Sequence, residues 1–283
     1  MTTMACVIDT ECTFISKYPS YVYHFGAVFG DLEQSNSFST VKMDYYVKEV
    51  MEDIDMFLHT NKKNINYSIN SSMKKAHKDA YNNFYKVRKW ADIIEELDET
   101  MKAMSIEYLT SYNFNFDIGM YPKIGTIRKT QNQLSDKAFY LPRNVQTLCL
   151  MDIASVLFMN RDYLRFIEKL DIETVEQFRT DKGNPRYSAE CCMRYLSNNP
   201  FYIEQHTAKR DALLEFQLFM HFWSKPAWRR IIKAEFADNV KGVSLKAIRE
   251  GWSVKQRRNR RMGLDSEIST GTSQIELPLT GEK

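Results

Sequence analysis

Glycine and proline are scarce in this chain of 283 residues, ten and seven respectively. Turns and breaks are therefore few, and long regular elements are expected. No run approaches the ~18 uninterrupted apolar residues of a membrane-spanning helix, so no membrane span is expected. The opening MTTMACVIDTECTF lacks a basic stretch, and Asp9 and Glu11 interrupt its apolar run, unlike a secretory signal. The five cysteines (Cys6, Cys12, Cys149, Cys191, Cys192) are odd in number and contain no CxxC pair. They offer no zinc-site spacing and fit a reducing compartment. With 43% apolar and 27% charged residues, the composition is that of a soluble globular protein, and a cytoplasmic location is the expectation.

Charge of one sign is concentrated. Residues 225–263 hold twelve Lys/Arg against Glu235, Asp238 and Glu250, a net +9, whereas residues 1–224 and 264–283 each carry about −3. An acidic body beside a basic segment points to a polyanionic partner; a solvated basic helix pair is the plainer alternative.

Apolar patterning predicts strands over 4–14, 21–30 and 38–47, with Gly30-Asp31 as turn chemistry. Val47, Val50, Met51, Ile54, Phe57 and Leu58 have helical spacing, as do Val87, Trp90, Ile94, Leu97, Met101 and Met104 in a helix expected over 84–104. NKKNINYSINSS (61–72) reads as a surface loop. A buried strand is expected over 106–114, and helices over 151–158, over 188–196 and from Ala208 onward. Strands followed by alternating helices and strands give an α/β domain. The expected organisation is an α/β domain over 1–224, a mostly helical basic extension over 225–263, and a polar tail over 264–283.

Three places carry carboxylates where apolar residues belong. Asp9 and Glu11 lie two apart in the strand ACVIDTECTF, so both project from one face. Like charges on a half-buried surface repel and are costly to desolvate, and a hard divalent cation removes both penalties; a surface strand end with two solvated acids is the alternative. Asp117, in YNFNFDIGM, stands where a strand turns into a helix, the usual ligand position of α/β folds and also that of an N-cap. His206 and Asp211 are five apart at the opening of an amphipathic helix, where a lone His is ordinarily a polar loop residue.

In this order, Asp9-Thr10-Glu11, Asn113-x-x-Phe116-Asp117 and His206-x-Ala208-x-x-Asp211 resemble the motifs of the DEDDh 3′-to-5′ exonucleases of the RNase H-like superfamily. HFGAVFGD (24–31), CLMDIASVLF (149–158) and RYSAECCMRYL (186–196) resemble intervening elements, so the likeness covers roughly residues 4–222. Cys12-Thr13-Phe14 stands where many members have Thr-Gly, and Tyr112 where many have His. Against minimal members of that family, the exonuclease domain over 1–224 carries a longer, Asn- and Tyr-rich insertion at about 42–105, which points to a phage-encoded member acting in the host cytoplasm.

The resemblance implies an RNase H-like mixed sheet flanked by helices. It also implies two Mg²⁺ or Mn²⁺ ions held by Asp9, Glu11, Asp117 and Asp211, with His206 as general base. Thr10, Asn113 and Phe14 would bind substrate, Phe14 by stacking on the terminal base. Lys255, Arg257, Arg258, Arg260 and Arg261 suit phosphate contacts. Gln274-Ile275-Glu276-Leu277-Pro278-Leu279 resembles the peptide by which replication proteins dock on the bacterial sliding clamp, through Gln274, Leu277 and Leu279; an inert tail is the alternative. The expected activity is hydrolysis of terminal phosphodiesters, of DNA in preference to RNA. An exoribonuclease on short RNA and a silent nucleic-acid or clamp adaptor remain alternatives.

Overall fold

The computed structural model describes residues 2–13, 21–34, 40–52, 75–76, 78–119, 125–137, 141, 144–157, 161–226, 228–230 and 232–233. Six strands form one sheet: β1 (Met4–Cys12), β2 (Val22–Asp31), β3 (Val41–Val47), β4 (Val87–Arg88), β5 (Tyr108–Ser111) and β6 (Gln146–Cys149). Their order is β4-β3-β2-β1-β5-β6. β1, β2 and β3 are antiparallel neighbours, whereas β5 and β6 continue parallel to β1, and β4 lies parallel to β3. This is a mixed sheet flanked by helices. The central strands are buried on both faces: Ala5–Ile8 and Val22–Gly30 are closed to solvent without alternation, the pattern of strands covered by helices on each side.

Among the helices are α1 (Lys48–Glu52), α2 (Trp90–Ala103), α3 (Phe114–Asp117), α4 (Thr126–Leu134), α5 (Leu150–Leu157), α6 (Arg161–Glu168), α7 (Ile172–Gln177), α8 (Ala189–Leu196) and α9 (Ala208–Ser224). Met1–Leu150 with Gln205–Ser224 makes one compact unit, and Met151–Glu204 belongs to a second. In the second, Tyr163 hydrogen-bonds the Arg186 carbonyl (2.5 Å). Its buried Arg194 is satisfied by the Tyr202 carbonyl (2.7 Å), Gln177 Oε1 (2.6 Å) and an ion pair with Glu190.

In the first unit, residue alternation assigns helices to faces. Thr10 pairs with Phe25 across the β1–β2 ladder. Phe25 meets Trp90 of α2 edge-on, and Thr10 Oγ1 stands 3.1 Å from Thr126 Oγ1 of α4. Asp9 and Glu11 project from the other face, paired with Gly26 and His24. That face belongs to α9, whose first turn lies against Gly26. A Cβ on Gly26 would stand 2.3 Å from the carbonyl carbon and oxygen of Ala208 and 2.4 Å from Lys209 N.

Several elements depart from the sequence expectation. The helix expected from residue 84 begins at Trp90, because Val87 and Arg88 pair with Tyr46 and Val47 as an edge strand; Ile93, rather than Ile94, joins Trp90, Leu97 and Met101 in the core. Gly30 and Asp31 remain in β2, and the turn falls at Leu32–Glu33, where Asp31 Oδ1 accepts from Thr3 N and Glu33 N. β5 stops at Ser111, since α3 takes over residues 114–117. α4, β6, α6 and α7 have no counterpart in the expectation. The segments 61–72 and 264–283 lie outside the described residues, as does the basic extension beyond Lys233. No described helix is long and apolar enough to cross a membrane, and all five cysteines are free and buried.

Gly26→Ala tests the contact between α9 and β2. Overpacking a core costs about 1–3 kcal/mol where neighbours can yield, and here the obstacle is backbone. A large fall in melting temperature is expected; an unchanged one would contradict this packing.

Candidate active site

Where α9 crosses Gly26, Asp211 on its first turn is brought down beside Gly26's partner, Asp9. One carboxylate oxygen from each of Asp9, Glu11 and Asp211 lies within 4.8 Å of the others. Asp9 and Glu11 are half-buried and Asp211 is buried. Desolvation first, then the negative charges of Glu215, Asp117, Glu11 and Asp211, push the Asp9 carboxyl well above its ordinary range. Burial likewise raises Glu11, while His24 and His206 pull it the other way. Three mutually repelling oxygen donors in a desolvated cleft match the preference of a hard divalent cation such as Mg²⁺ or Mn²⁺.

Asp117 stands beside this trio rather than within it. It is 3% exposed, and its Oδ1 accepts the Thr10 hydroxyl at 2.6 Å. Thr126 Oγ1 lies 3.2 Å from the Asp117 carbonyl. Burial pushes its carboxyl up to about 7, against the opposing pull of the Thr10 hydrogen bond. Thr10 is consequently turned inward at 5% exposure, and its side chain holds Asp117. Asn113 is exposed and makes no side-chain cap; its carbonyl accepts Phe116 N (2.8 Å) and Asp117 N (3.2 Å), starting α3.

His206 is exposed and sits just ahead of α9 with φ of 49°. That left-handed backbone costs a residue with a Cβ ~1 kcal/mol or more and is typical of functional sites. Phe14, the five cations Lys255, Arg257, Arg258, Arg260 and Arg261, and the peptide residues Gln274, Leu277 and Leu279 lie outside the described residues.

Two participants escaped the sequence reading. Glu215, one helical turn beyond Asp211, is 3% exposed. Its Oε2 accepts Tyr112 N at 3.0 Å, joining α9 to the turn that carries Asn113 and Asp117. The readable signal was an acid at i+4 from Asp211 on a face otherwise made of Ala208, Ala212 and Phe219. His24 lies opposite Glu11, is 3% exposed, stacks on Tyr46 at 4.3 Å and meets Asp44 Oδ1 through Nε2 at 2.9 Å. Burial would raise the Asp44 carboxyl, but hydrogen bonds with His24 and Lys86 outweigh it and hold the group well below its usual range.

The raised carboxyls give a signed expectation. Groups whose folded pKa exceeds the unfolded value contribute stability that is complete below ~4 and is lost as pH rises through the folded value. The metal-free chain should therefore lose melting temperature between about pH 5 and 8, and Mn²⁺ should restore it. Asp117→Asn should weaken that pH dependence. A melting temperature indifferent to both pH and Mn²⁺ would contradict this account.

No protein-family model matches the chain, and no curated protein does. Among solved structures, cell-death related nuclease 4 is similar over 78% of this chain and 64% of its own, at 12% identity and a TM-score of 0.45. The nuclease domain of 3′hExo, a DEDDh family member solved bound to rAMP, is similar over 79% of this chain and 92% of its own, at 12% identity and 0.46. A product-bound exonuclease I is similar over 79% of this chain and 46% of its own, at 12% identity and 0.46. This chain thus spans less than two thirds of the first and less than half of the third.

Proposed function

We propose that this protein is a metal-dependent 3′-to-5′ exonuclease that removes nucleoside 5′-monophosphates from nucleic-acid 3′ ends. The observation that carries this reading is the convergence of Asp9, Glu11 and Asp211 within 4.8 Å, with Asp117 and His206 beside them. Asp9, Glu11 and Asp211 would hold one divalent cation, and Asp9 with Asp117 a second. Such ions supply charge neutralisation at the phosphodiester and acidify water.

The chain's own groups do the rest. His206, on the exposed turn beside Glu11, accepts the proton of the attacking water as general base. The Glu11 carboxylate stabilises the resulting imidazolium. Water attacks phosphorus, the bond to the 3′-oxygen breaks, and that oxygen leaves with the shortened strand as a 3′-hydroxyl, taking its proton from solvent as His206 returns its own to solvent. Thr10 fixes Asp117, and Glu215 fixes the Tyr112 turn that leads to it, so Asp117 does not rely on substrate for its position. The exposed Asn113 amide is proposed to meet the terminal nucleotide, and Phe14 to stack on its base. DNA is the favoured substrate because the Gln274–Leu279 peptide resembles a clamp-docking sequence; the cations of 255–261 would add phosphate contacts.

Asp9→Ala should abolish mononucleotide release while leaving the chain folded. His206→Ala should slow it by about 10²–10⁴-fold and leave Mn²⁺-induced stabilisation in place. Full activity in either variant, measured as monophosphate release, would overturn the assignment.

A further inference from the structure

Three large aromatic side chains stand in solvent at one edge of the sheet: Tyr81, Phe84 and Tyr85 are 82%, 79% and 65% exposed. Five residues cannot gain stability by leaving three such rings in water, and exposed apolar clusters of this kind mark binding surfaces. The segment's own charge is mostly positive, although Arg88 is paired with Glu96 and Lys86 with Asp44 and Asp79. Between residues 75 and 89 the chain carries Lys75, Lys78, Lys86, Arg88 and Lys89 against one acid, Asp79. Protein–protein interfaces are depleted in lysine, whereas aromatics interleaved with cations suit a strand that offers phosphates and base faces together.

This lip is fastened to the face that bears the carboxylates. Glu11, His24, Tyr46 and Val87 are successive partners across β1, β2, β3 and β4, three strand spacings or about 14 Å in all. Tyr46, stacked on His24, donates its hydroxyl to Asp79 Oδ2 at 2.7 Å. Lys86 Nζ bridges Asp44 (2.9 Å) and Asp79 (3.9 Å), and Lys209 of α9 reaches Asp44 at 3.5 Å. The ring-bearing segment therefore has a fixed position relative to Glu11 and α9.

We propose that residues 75–76 and 78–89 are a docking surface for single-stranded nucleic acid running toward the Asp9–Glu11–Asp211 cluster. Tyr81, Phe84 and Tyr85 stack on bases, and Lys75, Lys78 and Lys89 contact phosphates. The placing of the 3′ end rests on the exonuclease reading; the binding surface does not.

The test is anisotropy of a fluorescein-labelled oligothymidylate of about 20 nucleotides, titrated in EDTA against the full chain. The combined variant Tyr81→Ser, Phe84→Ser, Tyr85→Ser should bind at least about tenfold more weakly. The combined variant Lys75→Ala, Lys78→Ala, Lys89→Ala should reduce the slope of log affinity against log salt by about 2. Unchanged melting temperatures would show that both variants remain folded. Wild-type affinity and salt slope in both variants would overturn the proposal, even if the chain hydrolyses DNA. Weakened binding in a chain that hydrolyses nothing with Mg²⁺ would support the docking surface and remove the exonuclease reading alone.

Discussion

Gly26 has no side chain, and the first turn of α9 occupies the space one would fill. The site depends on this approach of helix backbone to strand backbone. Gly26 is the cross-strand partner of Asp9, so the point of contact is also where Asp211 is delivered. One turn later Glu215 reaches Tyr112 N, which ties the same helix to the turn bearing Asp117. A single helix thus sets the spacing of carboxylates drawn from three parts of the chain.

What this assembles is electrostatically unfavourable by itself. Asp9 is raised by burial and by four neighbouring carboxylates, and Asp117 is raised by burial despite the Thr10 hydrogen bond. Folding for stability alone would place apolar residues there. The opposite arrangement holds two strands away, on β3, where Asp44 is surrounded by His24, Lys86 and Lys209. The sheet therefore carries, on one face, a balanced ionic network beside an unbalanced acidic one. The unbalanced one is where a divalent cation would lower the free energy, which links the repulsion in the cluster to its proposed chemistry.

Much of this was legible in the order of residues. Asp9 and Glu11 interrupt an apolar strand, and strand periodicity alone places both on one face. The Ala208–Ser224 and Ala189–Leu196 helices stand where the periodicity puts them. Legibility ended where tertiary pairing overrides local pattern. Val87 and Arg88 read as helix until β3 is available to pair with them. β6 is four residues long and adjoins a helix with no break, so no boundary marks it. Glu215 and His24 each looked like ordinary polar positions, because their partners, Tyr112 N and Asp44, are distant in sequence. The function of Gly26 is invisible to composition, since only the position of α9 reveals why a Cβ cannot be accommodated.

The central claim is that the converged carboxylates hydrolyse nucleic acid from its 3′ end with divalent metal. A gel time course with 5′-labelled single-stranded DNA and matched RNA, in Mg²⁺ and in EDTA, tests it most directly. The account predicts a ladder that shortens progressively from the 3′ end in Mg²⁺ only, faster on DNA. Internal cuts, cleavage that persists in EDTA, or intact substrate of both kinds in Mg²⁺ would contradict it.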